Sequence, residues 1–215
     1  RKLQEAMAPV EQNTEAGSDA SGAWETEGTS DIVSAGGDED GITVPRPDID
    51  VQLLTVNPNS RPGIPTDPIN AIVIHYLANP GTTAQQNRDY FESLKDLNTE
   101  KISSNFVIGL EGEIIQCVPT SEMAYASNSR NQDTVSIENC HPDETGKFND
   151  STYNSLVYLT AYLCDKFDLD PENGGVIRHH DVTGKDCPRY FVQNPDAWQQ
   201  FLTDVADYMR EYGAL

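Results

Sequence analysis

The sequence predicts an α/β fold: a single layered domain with a central mixed β-sheet flanked by helices, preceded by an acidic low-complexity tail. Two observations carry that prediction. From about residue 51 onward, short β-branched apolar runs alternate with longer stretches whose apolar residues recur at helical spacing. Before that point, twelve acidic and three basic side chains sit among many Gly, Ser, Ala and Thr, with few large apolar residues. Such a segment buries too little surface to offset its chain entropy. Residues 1–50 therefore read as a tail or linker, and residues 51–215 as the folded domain.

The elements follow in order. Val44-Pro-Arg-Pro-Asp48 ends the tail as a stiff linker, and Pro62, Pro65 and Pro68 mark an irregular lead-in. Ala71-Ile-Val-Ile-His-Tyr-Leu77 is an apolar, β-branched run of the kind that forms a buried central strand. Asn79-Pro-Gly81 is turn chemistry, after which Thr83 to Leu97 predicts a helix with Tyr90, Phe91 and Leu94 at helical spacing. Ser104 to Gly109 and Glu113 to Pro119 pair about Leu-Glu-Gly112, a hairpin signal. Thr134 to Cys140 alternates as a strand. Asn149-Asp-Ser-Thr offers N-caps for a helix through Phe167, with Leu156, Leu159 and Leu163 on one face. Val176 to His179 reads as a short strand running into a loop. Asn194-Pro195 opens a last helix to about Tyr212, its inner face Trp198, Phe201, Leu202, Val205 and Met209.

Charge and composition exclude whole classes of function. The net charge is −21, and residues 51–215 alone hold eleven basic against 23 acidic side chains. Nucleic-acid binding needs clustered Lys and Arg, and adsorption to anionic membranes needs the same, so neither is expected. No run of about 18 apolar residues is present to span a membrane. The chain opens at Arg1 rather than Met, which reads as a processed or trimmed product and leaves room for an upstream export signal or membrane anchor. Four cysteines are too few for a disulfide scaffold in a domain of this size. Whether Cys117, Cys140 and Cys164 pair is open, and a monomer is the default expectation.

Only four histidines are present: His75, His141, His179 and His180. His75 lies toward the end of the central strand, and His179 ends another, eight residues before Cys187. Imidazole and thiolate both suit zinc, and three protein ligands with one open position make its catalytic form. The alternative is two hydrogen-bonded core histidines and a small buried thiol. Spacing alone leaves both readings standing.

A resemblance weighs on that choice. Arg178-His-His-Asp-Val-Thr-Gly-Lys-Asp-Cys-Pro188 resembles the signature of the zinc-dependent N-acetylmuramoyl-L-alanine amidases, the type 2 family that includes phage T7-type lysozymes and peptidoglycan recognition proteins. Val73-Ile-His-Tyr76, Asn105-Phe-Val-Ile108, Gly112-Glu-Ile-Ile-Gln116 and Ser136-Ile-Glu138 are similar to the family's other blocks, in the same order. The similarity runs over roughly residues 51 to 210.

The resemblance implies hydrolysis of the amide between N-acetylmuramic acid and L-alanine in peptidoglycan, outside the cell membrane or in the wall. It implies zinc held by His75, His179 and Cys187, with His179 preferred to His180 because the family ligand lies two residues before the Asp, here Asp181. It also implies Glu138 as the general base and Lys185 as the partner of the developing oxyanion. Tyr76, Asn105 and His180 become expected substrate-groove residues, and His141 an exposed residue without a family role. Two departures stand out. Ser104 occupies the place of a catalytic tyrosine in phage-type members, and a Trp-His pair that many bacterial members carry near Tyr125-Ala-Ser127 is absent. The rival classes are a peptidoglycan-binding module that does not cut, a cysteine hydrolase built on Cys187, and a structural zinc site closed by a fourth protein ligand.

Overall fold

A computed structural model describes residues 41–97 and 100–215. Residues 1–40, most of the expected tail, lie outside the described residues. The remainder forms one compact unit from Gly41 to Leu215. Residues 41–50, assigned to the tail from composition, are packed on that unit. The Asp165 carboxylate accepts the backbone N–H groups of Thr43 and Val44 (2.6 and 2.7 Å), and Val44 and Ile49 are buried.

Six strands form one sheet: β1 (Asp50–Val51), β2 (Ala71–Ile74), β3 (Phe106–Ile108), β4 (Ile114–Gln116), β5 (Thr134–Asn139) and β6 (Val176–Arg178). Their order is β1-β4-β3-β5-β2-β6. Every neighbouring pair is parallel except the β3–β4 hairpin, so the sheet is mixed as expected. The long helices are α1 (Ala84–Leu97), α2 (Asp150–Lys166) and α5 (Pro195–Glu211), and two short ones are α3 (His179–Thr183) and α4 (Arg189–Gln193). Single 3-10 turns occur at Asn128–Arg130 and Pro171–Asn173.

The elements form where local chemistry favours them. The Asn149 side chain accepts the Thr152 N–H (2.8 Å) and caps α2. Gly112 turns the hairpin at φ +83°, and a Cβ there would meet the Ser151 carbonyl at 2.9 Å. The start of α2 is thereby seated directly on the hairpin. The sheet is covered on both faces. On one side Ile72 and Ile74 join Leu156, Leu159 and Leu163 of α2 and Phe201, Leu202 and Val205 of α5 in the main core. On the other, Leu77, Val107, Ile115, Cys117 and Cys140 pack with Phe91 of α1. Among the described residues no helix is long and apolar enough to cross a membrane.

The register of the parallel strands decides what meets what. Ile74 pairs with Ile137 on one side and with Arg178 on the other. One step further along, His75, Glu138 and His179 therefore stand side by side across three strands at the carboxyl ends of β2 and β6. In open α/β sheets this edge is where ligands are held.

Candidate metal centre

His75 follows β2 directly, and its backbone N–H is bonded to the Ile137 carbonyl (2.9 Å). The side chain is 1% exposed. His179 opens helix α3, where a loop was expected. The Arg178 backbone N–H donates to the Asp181 carboxylate (2.8 Å), starting a turn too short to show a periodic apolar pattern. Gly184 in the left-handed region ends that turn, and the chain returns so that the His180 N–H bonds the Cys187 carbonyl (2.8 Å). Cys187 is thus brought back beside the strand ends.

The ligand atoms of His75, His179 and Cys187 lie within 4.8 Å of one another, and all three residues are buried. Cys187 Sγ is 3.9 Å from His75 Nδ1, and the two imidazole centroids are 4.6 Å apart. Tetrahedral zinc with bonds of about 2.0–2.3 Å spaces its ligands by roughly 3.4–3.7 Å, so the observed cluster needs only a small contraction. Two imidazoles and one thiol could hold a metal ion as three protein groups, the number that leaves a tetrahedral ion one position to spare. His180 does not close the site. Its Nδ1 is bonded to the Lys185 carbonyl (2.8 Å), which ties it to the ligand loop.

Glu138 stands beside this cluster. One carboxylate oxygen is 3.9 Å from His75 Nδ1, and the other is buried with no hydrogen-bond partner. Burial lifts its carboxyl to about 8. Burial also holds His75 well below the usual imidazole range, with the charges of His179 and Lys185 acting in the same direction. For His179, burial and then Lys185 bring the value to about 4. The Cys187 thiol is pushed up, chiefly by burial, while the Tyr76 backbone N–H directed at its sulfur works the other way. Both imidazoles are consequently neutral at pH 7, the form that ligates metal. Lys185 itself is exposed, near enough for its charge to act on both rings.

Other expected residues are placed differently. Asn105 is buried and its side chain is bonded on both its oxygen and its nitrogen. Its carboxamide oxygen accepts from the backbone N–H and hydroxyl of Ser136 (3.0 and 3.1 Å), and its amide donates to the Pro119 carbonyl (3.1 Å). It joins β5 to the segment after β4, and that structural task corrects its expected contact with substrate. The Tyr76 ring packs in the main core, 5.1 Å from the His141 ring and beneath the Arg189 guanidinium. His141, expected at the surface, is 1% exposed. Its Nδ1 is bonded to the Asp143 carbonyl (2.7 Å), and the Tyr76 ring covers it. Ser104 is also buried, its hydroxyl donating to the Phe106 carbonyl (2.6 Å), so nothing there substitutes for a tyrosine. All four cysteines are free thiols.

Two residues at the site had no functional signal in the sequence. Ser127 Oγ lies 3.2 Å from His75 Nε2, and Asn128 Oδ1 lies 2.9 Å from His179 Nε2. Neither residue type announces metal chemistry, and each contact spans about fifty positions of sequence.

A family model described as N-acetylmuramoyl-L-alanine amidase matches residues 65–190, which include every residue of the cluster. The chain belongs to the N-acetylmuramoyl-L-alanine amidase family. It is 29% identical over 172 residues to the N-acetylmuramoyl-L-alanine amidase BlyA of Bacillus subtilis strain 168, a match covering 71% of this chain and 45% of that protein. It is 30% identical over 165 residues to the amidase CwlL of Bacillus licheniformis, with the same coverage of 71% and 45%. The chain thus spans less than half the length of these amidases. The solved structure of PlyL shares its fold, with a TM-score of 0.62 at 20% identity over 74% of this chain and 96% of that one.

Proposed function

We propose that this amidase-family domain hydrolyses the bond between the lactyl carbonyl of N-acetylmuramic acid and the amine of L-alanine in peptidoglycan, outside the cell membrane. The observation that carries the proposal is the buried cluster of His75, His179 and Cys187 with the unbonded Glu138 carboxylate beside it. His75, His179 and Cys187 would hold zinc. The ion, when bound, supplies a Lewis acid that polarises the scissile carbonyl and lowers the pKa of water toward about 7.

The remaining steps belong to the chain. Glu138, within reach of the ligand cluster, takes the proton of the attacking water once the positive charge of a bound ion has brought its carboxyl, raised by burial, back to the ionised form, and later delivers that proton to the leaving amine. Lys185, exposed on the ligand loop, supplies positive charge to the oxygen that becomes negative in the tetrahedral intermediate. Burial of the three ligand residues keeps bulk water from the cluster and strengthens the interactions made within it. The products are a lactyl carboxylate on the sugar and a free L-alanine N-terminus on the stem peptide. His180 orients the ligand loop through the Lys185 carbonyl, at a half-buried position from which its other edge can meet substrate.

Digestion of purified peptidoglycan tests this reading. The wild type should release new L-alanine N-termini, and chelation or Glu138→Ala should stop the release. Wall binding without new N-termini would instead support a module that holds peptidoglycan uncut.

A further inference from the structure

We infer that Ser127 and Asn128 are positioning residues for the metal site: one short loop fixes both imidazoles so that each turns Nδ1 toward the ion. This rests on the zinc reading above. His75 Nδ1 lies 3.9 Å from Cys187 Sγ and 3.9 Å from Glu138, so that nitrogen faces the cluster. The opposite nitrogen, Nε2, meets the Ser127 hydroxyl. His179 is held the same way, because its Nε2 meets Asn128 Oδ1.

The chemistry of the partners decides the outcome. A neutral imidazole has one N–H and one lone pair, and only the lone pair ligates. An amide oxygen can only accept, so His179 must carry its proton on Nε2 and keep its lone pair on Nδ1. The Ser127 hydroxyl can accept or donate, so it admits the same tautomer in His75 while holding that ring in place. Both partners are uncharged, so they orient the rings without raising ligand basicity as a carboxylate would.

The loop is built to hold these two residues still. Asn131 Oδ1 accepts the backbone N–H groups of Ala126 and Ser127 (3.1 and 2.6 Å). The Arg130 guanidinium forks onto Asp133 (2.8 Å from both Nε and Nη2), and Thr134 Oγ1 donates to the Arg130 carbonyl (2.6 Å). Asn128 itself sits at φ +52°, a region that residues with a Cβ seldom enter and that Asn tolerates better than most. A side chain kept in that conformation and aimed at a ligand is the mark of a constrained functional position.

Two variants and one spectrum separate positioning from simple support. Asn128→Gly keeps the left-handed backbone and deletes the amide, whereas Asn128→Asp keeps an accepting oxygen in place. Zinc affinity is measured by chelator competition, and the His179 tautomer by long-range nitrogen–proton NMR of the zinc-free wild type. We expect Asn128→Gly to weaken zinc by about 10–100-fold without lowering the zinc-free melting temperature. Asn128→Asp should stay within a few-fold of the wild type or bind more tightly, and wild-type His179 should carry its proton on Nε2. Equal zinc affinity in Asn128→Gly, equal losses in both variants, or a proton on Nδ1 would each overturn the inference while leaving the amidase reading intact. A wild type that takes up no zinc would overturn both.

Discussion

Along strand β2 the chain passes from one kind of surrounding to another within a single residue. Ile72, Val73 and Ile74 are fully buried among the side chains of both faces, where close packing supplies the stability. His75 comes next and is just as buried, yet its neighbours are a second imidazole, a thiol and a carboxylate with an unbonded oxygen. Burying polar groups without partners costs stability. The first region therefore stands on its own, while the second leaves polar groups that the proposed ion and substrate would complete.

The sharpest way to break the comparison is to remove a ligand. His75→Ala or Cys187→Ala should empty the site and lower amidase activity by at least about a thousandfold, as read by new N-termini and zinc content. The zinc-free melting temperature should hold or rise, because a buried polar group has gone. Glu138→Gln should keep one zinc per chain and still lose about 10²–10⁴ in rate, which single-turnover digestion would show. Phe201→Ala is the converse case. It should cost about 3–5 kcal/mol in urea unfolding while the folded fraction keeps its zinc.

The smallest effect sharpens the contrast from a distance. On α1, burial pushes the Glu92 carboxyl up, but hydrogen bonds from Lys95 and Thr55 outweigh it and bring the carboxyl down to about 2. A carboxyl depressed on folding contributes stability above its ordinary value of 4.5, and that stability fades as pH falls from there toward 2. Glu92→Gln should therefore cost roughly 1 kcal/mol at pH 7, nothing near pH 2, and no activity at either end of the comparison. Urea titrations at the two pH values would check it.

What was legible in the sequence follows the same division. The buried run Ala71–Ile74, the capped helix after Asn149 and the inner face of α5 were readable because packing leaves a period in the chain. His75, His179 and Cys187 were readable as candidates because few residue types bind zinc, and the signature around Cys187 singled them out. Strand β1 was not, since two exposed residues carry no pattern. The burial of His141 depends on Tyr76 and a turn at Asp143, neither of which marks the histidine itself. Asn105 looked like a groove residue from its block, but register set it against Ser136. Ser127 and Asn128 were invisible for a similar reason: their importance comes from the two rings they face.

On the proposed function, two imidazoles and one thiolate hold a single zinc at the carboxyl ends of β2 and β6. Zinc K-edge X-ray absorption on metal-replete protein tests it most directly. The expected spectrum has one sulfur at about 2.3 Å, two imidazole nitrogens at about 2.0–2.1 Å and one further light atom. A spectrum without a sulfur shell, or a folded and metal-replete sample that holds no zinc, would contradict it.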